Sequence, residues 1–143
     1  MNQTDSYLVV LNALEDYLNQ HKAQLGIKRV WYGNDNLIPE TPAINLVPTL
    51  KRRVIAGTGA MTENTINVNI TIFHSRLENP QVTRKECDAL SEQVEGVLHD
   101  NKHLGGLVIF SYVSEIEPGV ASRNNVLMKA TRLGWTASSK TRI

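Results

Sequence analysis

A segment of strict alternation constrains the fold of this chain more than any other feature. From Ile66 to Phe73, β-branched apolar side chains stand at every second position, and Asn67, Asn69 and Thr71 lie between them. Because successive side chains of a strand point to opposite faces, this pattern predicts a β-strand with one face in a core and one polar face. The segment contains no reactive group, so the clearest structural signal in the chain indicates no chemistry.

Two other stretches repeat their apolar residues at three- and four-residue steps, which is typical of amphipathic helices. The first spans 5–24 and the second roughly 81–100. Asp5 or Ser6 is expected to cap the start of the first helix, and Gly26 to end it. Their apolar stripes are Leu8, Leu11, Leu14, Leu18 and Leu25 in the first, and Cys87, Leu90, Val94, Val97 and Leu98 in the second.

The remaining apolar runs predict short strands, separated by loops that look too short for parallel crossovers. These runs are 27–32, 43–47, 50–55, 107–116 and 126–136, where 50–55 is either a separate strand or continues 43–47 past a bulge. We therefore expect an α+β fold, with an antiparallel sheet of about four to five strands and two main helices packed on it.

Punctuating residues predict where that sheet is interrupted. Glu117-Pro118-Gly119 has the composition of a turn, the glycine-containing stretch 56–65 that of a flexible loop, and 137–143 that of a mobile polar tail. A length of 143 residues fits one domain spanning 1–143.

Composition excludes several classes of protein. The net charge of +1 gives no argument for binding to nucleic acid or membrane. No apolar run approaches the length of a transmembrane helix, and the N-terminus has neither the basic nor the apolar part of a signal peptide. Cys87 is the only cysteine, so an internal disulfide framework is excluded. We expect a protein made in the cytoplasm.

Charge is segregated along the chain despite the low net value. Residues 41–62 contain no acid and the three bases Lys51, Arg52 and Arg53, and residues 118–143 again contain bases without acids. The stretches between are net acidic. This pattern indicates either an ordinary solvated surface or a protein with unlike faces suited to head-to-tail packing with its own copies.

The run Lys51-Arg52-Arg53 is the one candidate contact site. On a strand, Lys51 and Arg53 share one face and Arg52 takes the other. Two interpretations remain open: a charged edge that discourages strand addition, or a contact to phosphate or carboxylate groups without base readout.

The sequence predicts neither a metal site nor a cofactor site. His99 and His103 have the four-residue spacing of helical metal ligands, but no third ligand accompanies them, so we interpret them as helix-end histidines. Gly57-Thr58-Gly59 lacks the third glycine, the lysine and the following helix of a phosphate loop. We expect no metal and no cofactor.

No catalytic group is expected either. Cys87 with His74, His99 or His103 as a base would be a nucleophile, but it lies on the apolar stripe of a helix, where free cysteine packs as a small hydrophobe. Trp31 and Trp135 are expected to anchor the core or an interface. The chain is therefore predicted not to be an enzyme.

The order of elements resembles the tail terminator, or tail-completion, proteins of long-tailed bacteriophages. The resemblance rests on the helix at 5–24, the proline-bounded strand Pro42–Pro48, the loop 56–65 and the alternating strand 66–73. The helix Val82–Asp100, a strand ending Ile116–Gly119 and a closing strand Val126–Trp135 complete it. It covers nearly the whole chain but contains no catalytic signature or invariant motif.

This resemblance implies a subunit of a ring, usually a hexamer, at the head-proximal end of the phage tail tube. Such a ring ends tube polymerisation and offers a docking surface to the head connector, while double-stranded DNA passes through its lumen without sequence readout. Its location would be the virion. The resemblance carries over no site residue; from charge alone, our hypothesis is that Lys51, Arg52 and Arg53 line a ring surface or the lumen. Two alternatives stay open: a head-completion or neck protein (a stopper or adaptor) of the same virion, and a small cytosolic binding module without enzymatic activity.

Overall fold

A computed structural model describes residues 7–33, 40–55 and 61–142. Two helices precede the sheet and a third divides it. The elements in chain order are helices α1 (Tyr7–Gln20) and α2 (Lys22–Leu25), strands β1 (Arg29–Tyr32), β2 (Ala43–Ile55) and β3 (Met61–Arg76), helix α3 (Arg84–His99), a 3₁₀ turn (Leu104–Gly106), and strands β4 (Phe110–Arg123) and β5 (Val126–Arg142).

The strands form one five-stranded sheet in the order β1-β2-β3-β5-β4, so the predicted α+β class is confirmed. The sheet is mainly antiparallel, as expected, but not strictly so, because β1 pairs in parallel with β2, with Arg29 beside Ala43. A parallel return normally needs a long crossover. The parallel pairing is short, because β1 has only 4 residues.

The central strands are longer than their patterns predict. β3 already begins at Met61, so the expected flexible loop 56–65 is wrong for 61–65, and 56–60 lie outside the described residues. β5 continues to Arg142, which pairs with Met61, so a mobile tail at 137–143 is wrong as far as residue 142. Pairing with a neighbouring strand satisfies the backbone N–H and C=O groups of these polar segments. Local composition cannot reveal such pairing, because the partner is distant in sequence.

The predicted turn at Glu117-Pro118-Gly119 is also wrong, because all three residues lie within β4. The chain reverses instead at Asn124 and Asn125, which both have positive φ, 49° and 64°. Asparagine tolerates this left-handed conformation, and two such residues fit a tight hairpin between β4 and β5. For β2, the sequence predicted either a separate strand at 50–55 or a continuation of 43–47 past a bulge. The structure shows one strand, with a register shift between Pro48 and Leu50.

The main core lies between the helices and one face of the sheet. The apolar row Ile66, Val68, Ile70 and Ile72 of β3 is fully buried there, as its alternation predicts. Helix α1 buries Val10, Leu11, Leu14 and Leu18, whereas Leu8, expected on the same stripe, is exposed. Helix α3 buries Cys87, Val94, Val97 and Leu98, with Leu90 half-buried. The predicted packing of both helices by one apolar face is confirmed.

Local contacts fix the helix ends. Gly26 adopts φ 71° and ends α2, as its position predicted, although the first helical stretch is broken at His21. Thr83 caps α3 by accepting the Glu86 N–H at 3.2 Å. The Tyr17 hydroxyl donates to the Val97 carbonyl at 2.6 Å and joins α1 to α3. The cap predicted at Asp5 or Ser6 lies outside the described residues.

Candidate assembly surface

The face of the sheet opposite the helices is polar along its centre. Asn67, Asn69 and Thr71 of β3 lie on it and are half-buried. Neither α1 nor α3 packs on this face, since both contribute to the core on the other side. We call it the helix-free face. Its row of uncharged polar residues, Asn67, Asn69 and Thr71, is suited to contact with another protein.

A charged cluster stands on this face beside Asn69. The Arg132 guanidinium donates through Nη1 to Asn69 Oδ1 at 3.1 Å. Through Nη2 it donates to Glu115 Oε1 at 2.9 Å and to Glu117 Oε2 at 2.7 Å. Hydrogen bonds from Glu117 and then Glu115 raise the pKa of Arg132 above its ordinary value. One cation shared by two carboxylates leaves this part of β4 net acidic.

Gly134 makes room for that cluster. A Cβ atom at this position would lie 2.8 Å from Glu115 Cγ and 3.3 Å from Glu115 Oε1. The absence of a side chain therefore lets Glu115 cross β5 towards Arg132. No pattern in the sequence predicted this cluster, because Glu115, Glu117 and Arg132 meet only through the register of β4 with β5.

The predicted basic run lies at the opposite edge of the sheet. Strand β1 covers β2 only as far as Leu46, and no described strand pairs with the outer edge from Val47 to Val54, which we call the β2 rim. Arg52 is exposed and pairs with Thr65, so it lies on the helix-free face. Lys51 and Arg53 take the other face, which confirms the predicted alternation.

Arg53 is partly engaged within the chain, since its Nε donates to Asn64 Oδ1 at 3.1 Å. That contact holds the guanidinium against β3. The structure thus divides the run Lys51-Arg52-Arg53 between two faces, and its role at a ring surface or lumen stays a prediction.

The outer edge of β4 has no described strand partner. At its start, the Val113 N–H donates to His99 Nε2 at 3.1 Å, so a histidine covers this backbone donor. The rest of the outer edge of β4 runs from Glu115 to Arg123, and we call this segment the β4 rim. His103 Nδ1 also contacts the Ile109 carbonyl at 2.6 Å. Beyond the predicted position of His99 and His103 at a helix end, the two histidines therefore hold the start of β4 in place.

A second, smaller cluster of buried residues lies on the helix-free face near β1. The rings of Trp31 and Phe73 stack with centroids 6.1 Å apart. Arg29 lies over Trp31 at 5.2 Å, and Arg123 over Phe73 at 4.6 Å. Trp31 is thus a core anchor, as is Trp135 in the main core. No sequence pattern predicts these ring contacts, because Trp31, Phe73 and Arg123 come from three different strands.

A half-open cavity of about 220 Å³ lies beside the start of α3, with His74, Cys87 and Lys129 in its wall. His74 Nε2 contacts Thr131 Oγ1 at 2.9 Å, and burial lowers the pKa of this imidazole to about 4. Burial raises the pKa of the Cys87 thiol. Lys129 donates to the carbonyls of Asn79 and Val82. The thiol is therefore kept protonated, and its surroundings do not activate it as a nucleophile.

Within 7–33, 40–55 and 61–142, no group of three or more His, Cys, Asp or Glu side chains is placed to hold a metal ion. Across the same residues, no helix combines the length and the apolar character needed to cross a membrane.

Comparison with known proteins adds little to this geometry. No family model matches the chain, and no curated protein does. One solved structure, whose name states no function, matches over 92% of this chain and 95% of its own, with 16% identity and a TM-score of 0.46. The class defined by the coordinates is therefore an α+β protein with a mixed five-stranded sheet and three helices.

Proposed function

We propose that this chain is a structural virion protein that forms a ring, usually of six copies, on the head-proximal end of a phage tail tube. The ring ends tube polymerisation and provides the docking surface for the head connector. Its partners are its own copies, the tail tube protein and the connector or neck proteins. Double-stranded DNA passes through the lumen without sequence readout, and no activity as an enzyme is proposed.

The observation that carries this proposal is the open polar surface of the sheet with unlike charges at its two edges. The helix-free face carries Asn67, Asn69 and Thr71, the β2 rim carries Lys51, Arg52 and Arg53, and the β4 rim carries Glu115 and Glu117. A chain with opposite charges on opposite edges is suited to heterologous contact, which gives a ring where the rotation between copies closes. A uniform cationic surface would instead favour binding to nucleic acid as the main activity.

The chemistry of the buried groups supports a role other than catalysis. His74 and Cys87 line one cavity, but burial keeps the imidazole neutral and the thiol protonated. The carboxylates Glu115 and Glu117 are engaged with Arg132 on an open surface. An acid–base pair would need a positioned donor and acceptor facing a shared pocket.

Removal of the gene from its phage tests the proposal directly. We expect overlong tail tubes or tails without heads in electron micrographs, and recovery of normal particles when the intact gene is supplied. DNA-leaking heads with normal tails would instead identify a stopper or adaptor of the neck. A chain with no effect on particles, and a persistent monomer by native mass spectrometry, would be a small binding module and would contradict the proposal.

The predicted contact residues have a separate test in the same system. Arg52→Glu changes an exposed cation on the β2 rim, and Arg76→Glu changes an exposed cation at the other end of the sheet as a matched control. We expect Arg52→Glu to lower the yield of joined particles at least several-fold and Arg76→Glu to leave it near normal. Equal yields from the two variants would remove Arg52 from the assembly surface.

A further inference from the structure

The two rims carry opposite charges on the same face of the sheet. Arg52 shares the helix-free face with Glu115 and Glu117, because their partners Thr65, Gly134 and Arg132 occupy the matching positions of β3 and β5. Both carboxylates are largely exposed, at 60% and 71% of their side-chain surface. Charges so placed can meet across a boundary between two copies without entering the core.

Two-fold contacts centred on the clustered charges would bring like charges together. A β4 rim paired with its copy about Ile116 sets Glu115 against the second copy's Glu117, and a β2 rim paired with its copy about Arg52 sets Lys51, Arg52 and Arg53 against themselves. Like charges directly opposite each other destabilise a strand pair. A β4 rim against a β2 rim instead joins Glu115 and Glu117 to Arg52, so these charges favour a head-to-tail contact over such two-fold ones.

The strand directions fit such a contact. Since β2 and β5 both pair in antiparallel fashion with β3, and β4 with β5, β2 and β4 run in opposite directions. A second copy in the same orientation therefore presents its β2 antiparallel to β4. The register that sets Arg52 opposite Glu117 also sets Leu50 opposite Gly119 and Val54 opposite Glu115, so the two rims overlap along most of their length.

Two prolines limit what the backbone contributes. Pro48 lies in the β2 rim and Pro118 in the β4 rim, and neither has an N–H to donate. Such residues protect exposed strand edges from indiscriminate pairing. The selectivity of the contact therefore rests on side chains. Exposed apolar residues flank the charges: Leu50 and Val54 on the helix-free face of the β2 rim, and Ile116 and Val120 on the opposite face of the β4 rim.

We propose that the β4 rim of one copy binds the β2 rim of the next copy, with Arg52 facing Glu115 and Glu117, and that this is the contact repeated around the ring. The inference rests on the proposed function, since it names the partner of each rim within that assembly. The occupant of both rims is a second copy of this chain.

Cross-linking of mixed single-cysteine variants tests this arrangement. Leu50→Cys marks the β2 rim, and Gly119→Cys, which lies opposite Leu50 in this register and has room for a side chain, marks the β4 rim. The native Cys87 is buried and is replaced by alanine in all variants. After treatment with a short bis-maleimide, each variant alone is expected to give little dimer. An equal mixture is expected to give a strong dimer, and a chain carrying both cysteines a ladder up to the ring. Leu77→Cys, on an exposed turn outside both rims, serves as the matched control.

Native mass spectrometry on the same samples separates the two proposals. A ring in which each variant cross-links to itself, or in which the mixture reacts no better than the Leu77→Cys control, would overturn the rim-to-rim contact and leave ring formation standing. Failure to assemble, either in solution or on purified tail tubes, would overturn both. A compensating test uses Arg52→Glu in the mixture, which should lower dimer formation several-fold, whereas Arg76→Glu should not.

Discussion

Arg132 and Glu117 lie on neighbouring strands, with Nη2 of one 2.7 Å from Oε2 of the other. They are direct partners in the register of β4 with β5. Glu115, two residues before Glu117 on β4, approaches the same nitrogen of Arg132 at 2.9 Å. This arrangement concentrates two carboxylates on the β4 rim and uses a single cation to hold them in place.

Removal of that cation should loosen the β4 rim without unfolding the chain. Arg132→Ala is expected to lower the free energy of unfolding by about 1 kcal/mol, because the ion pairs are largely exposed and screened. Arg132→Lys should recover part of the loss, since it keeps the charge but not the branched set of donors. Urea denaturation of the monomer measures both. A loss above about 3 kcal/mol would show that the cluster is a major part of the fold.

Gly134 offers a cleaner perturbation of the same cluster. Gly134→Ala places a Cβ 2.8 Å from Glu115 Cγ, so the Glu115 side chain must move away from Arg132. We expect a loss of about 1 kcal/mol in the free energy of unfolding. Gly119→Ala is the matched control, because a Cβ at that strand position meets nothing within 4 Å. In a Glu115→Ala background the cost of Gly134→Ala should fall, and an unchanged cost would contradict the steric explanation.

The alternation at 66–73 placed Ile66, Val68, Ile70 and Ile72 against the helices correctly, because the period of a strand is a local property. The ends of the long strands were not predictable in this way. Ser138 and Ser139 resemble loop residues, yet they are buried in β5, since β3 pairs with them on one side. Pro118 resembles a turn residue, but an edge strand tolerates it.

The candidate surface was predictable only in part. Lys51, Arg52 and Arg53 are adjacent in sequence, so a basic run and its alternation were visible before any fold was known. Glu117 and Arg132 are separated by a hairpin, and their contact depends on where the chain turns at Asn124 and Asn125. An error of one residue in that turn would have moved one of the two side chains to the other face.

Burial of His74 should make stability depend on pH. Its pKa is about 4 in the folded chain and about 6.5 when unfolded, so between these values the unfolded chain binds more protons. The free energy of unfolding should therefore rise with pH from about 4 to about 6.5, by at most about 3 kcal/mol, and level off above. Denaturation from pH 4.5 to 7.5 measures this slope. His74→Gln should flatten it, whereas the half-buried His21→Gln should not; an equal slope in both variants would assign it to other groups.

Unlike charges on the two rims predict that assembly weakens with salt. The Debye length falls from about 8 Å at 0.15 M ionic strength to about 3 Å at 1 M, and exposed charges such as those of Arg52 and Glu117 are strongly screened over that range. We expect the fraction of assembled chain, measured by sedimentation velocity, to fall as sodium chloride is raised. Arg52→Glu removes one attraction and adds a repulsion, so this variant should assemble less at low salt and lose less when salt is added. Assembly that strengthens with salt in the unmodified chain would show that apolar residues such as Leu50 and Val120, rather than charges, dominate the contact.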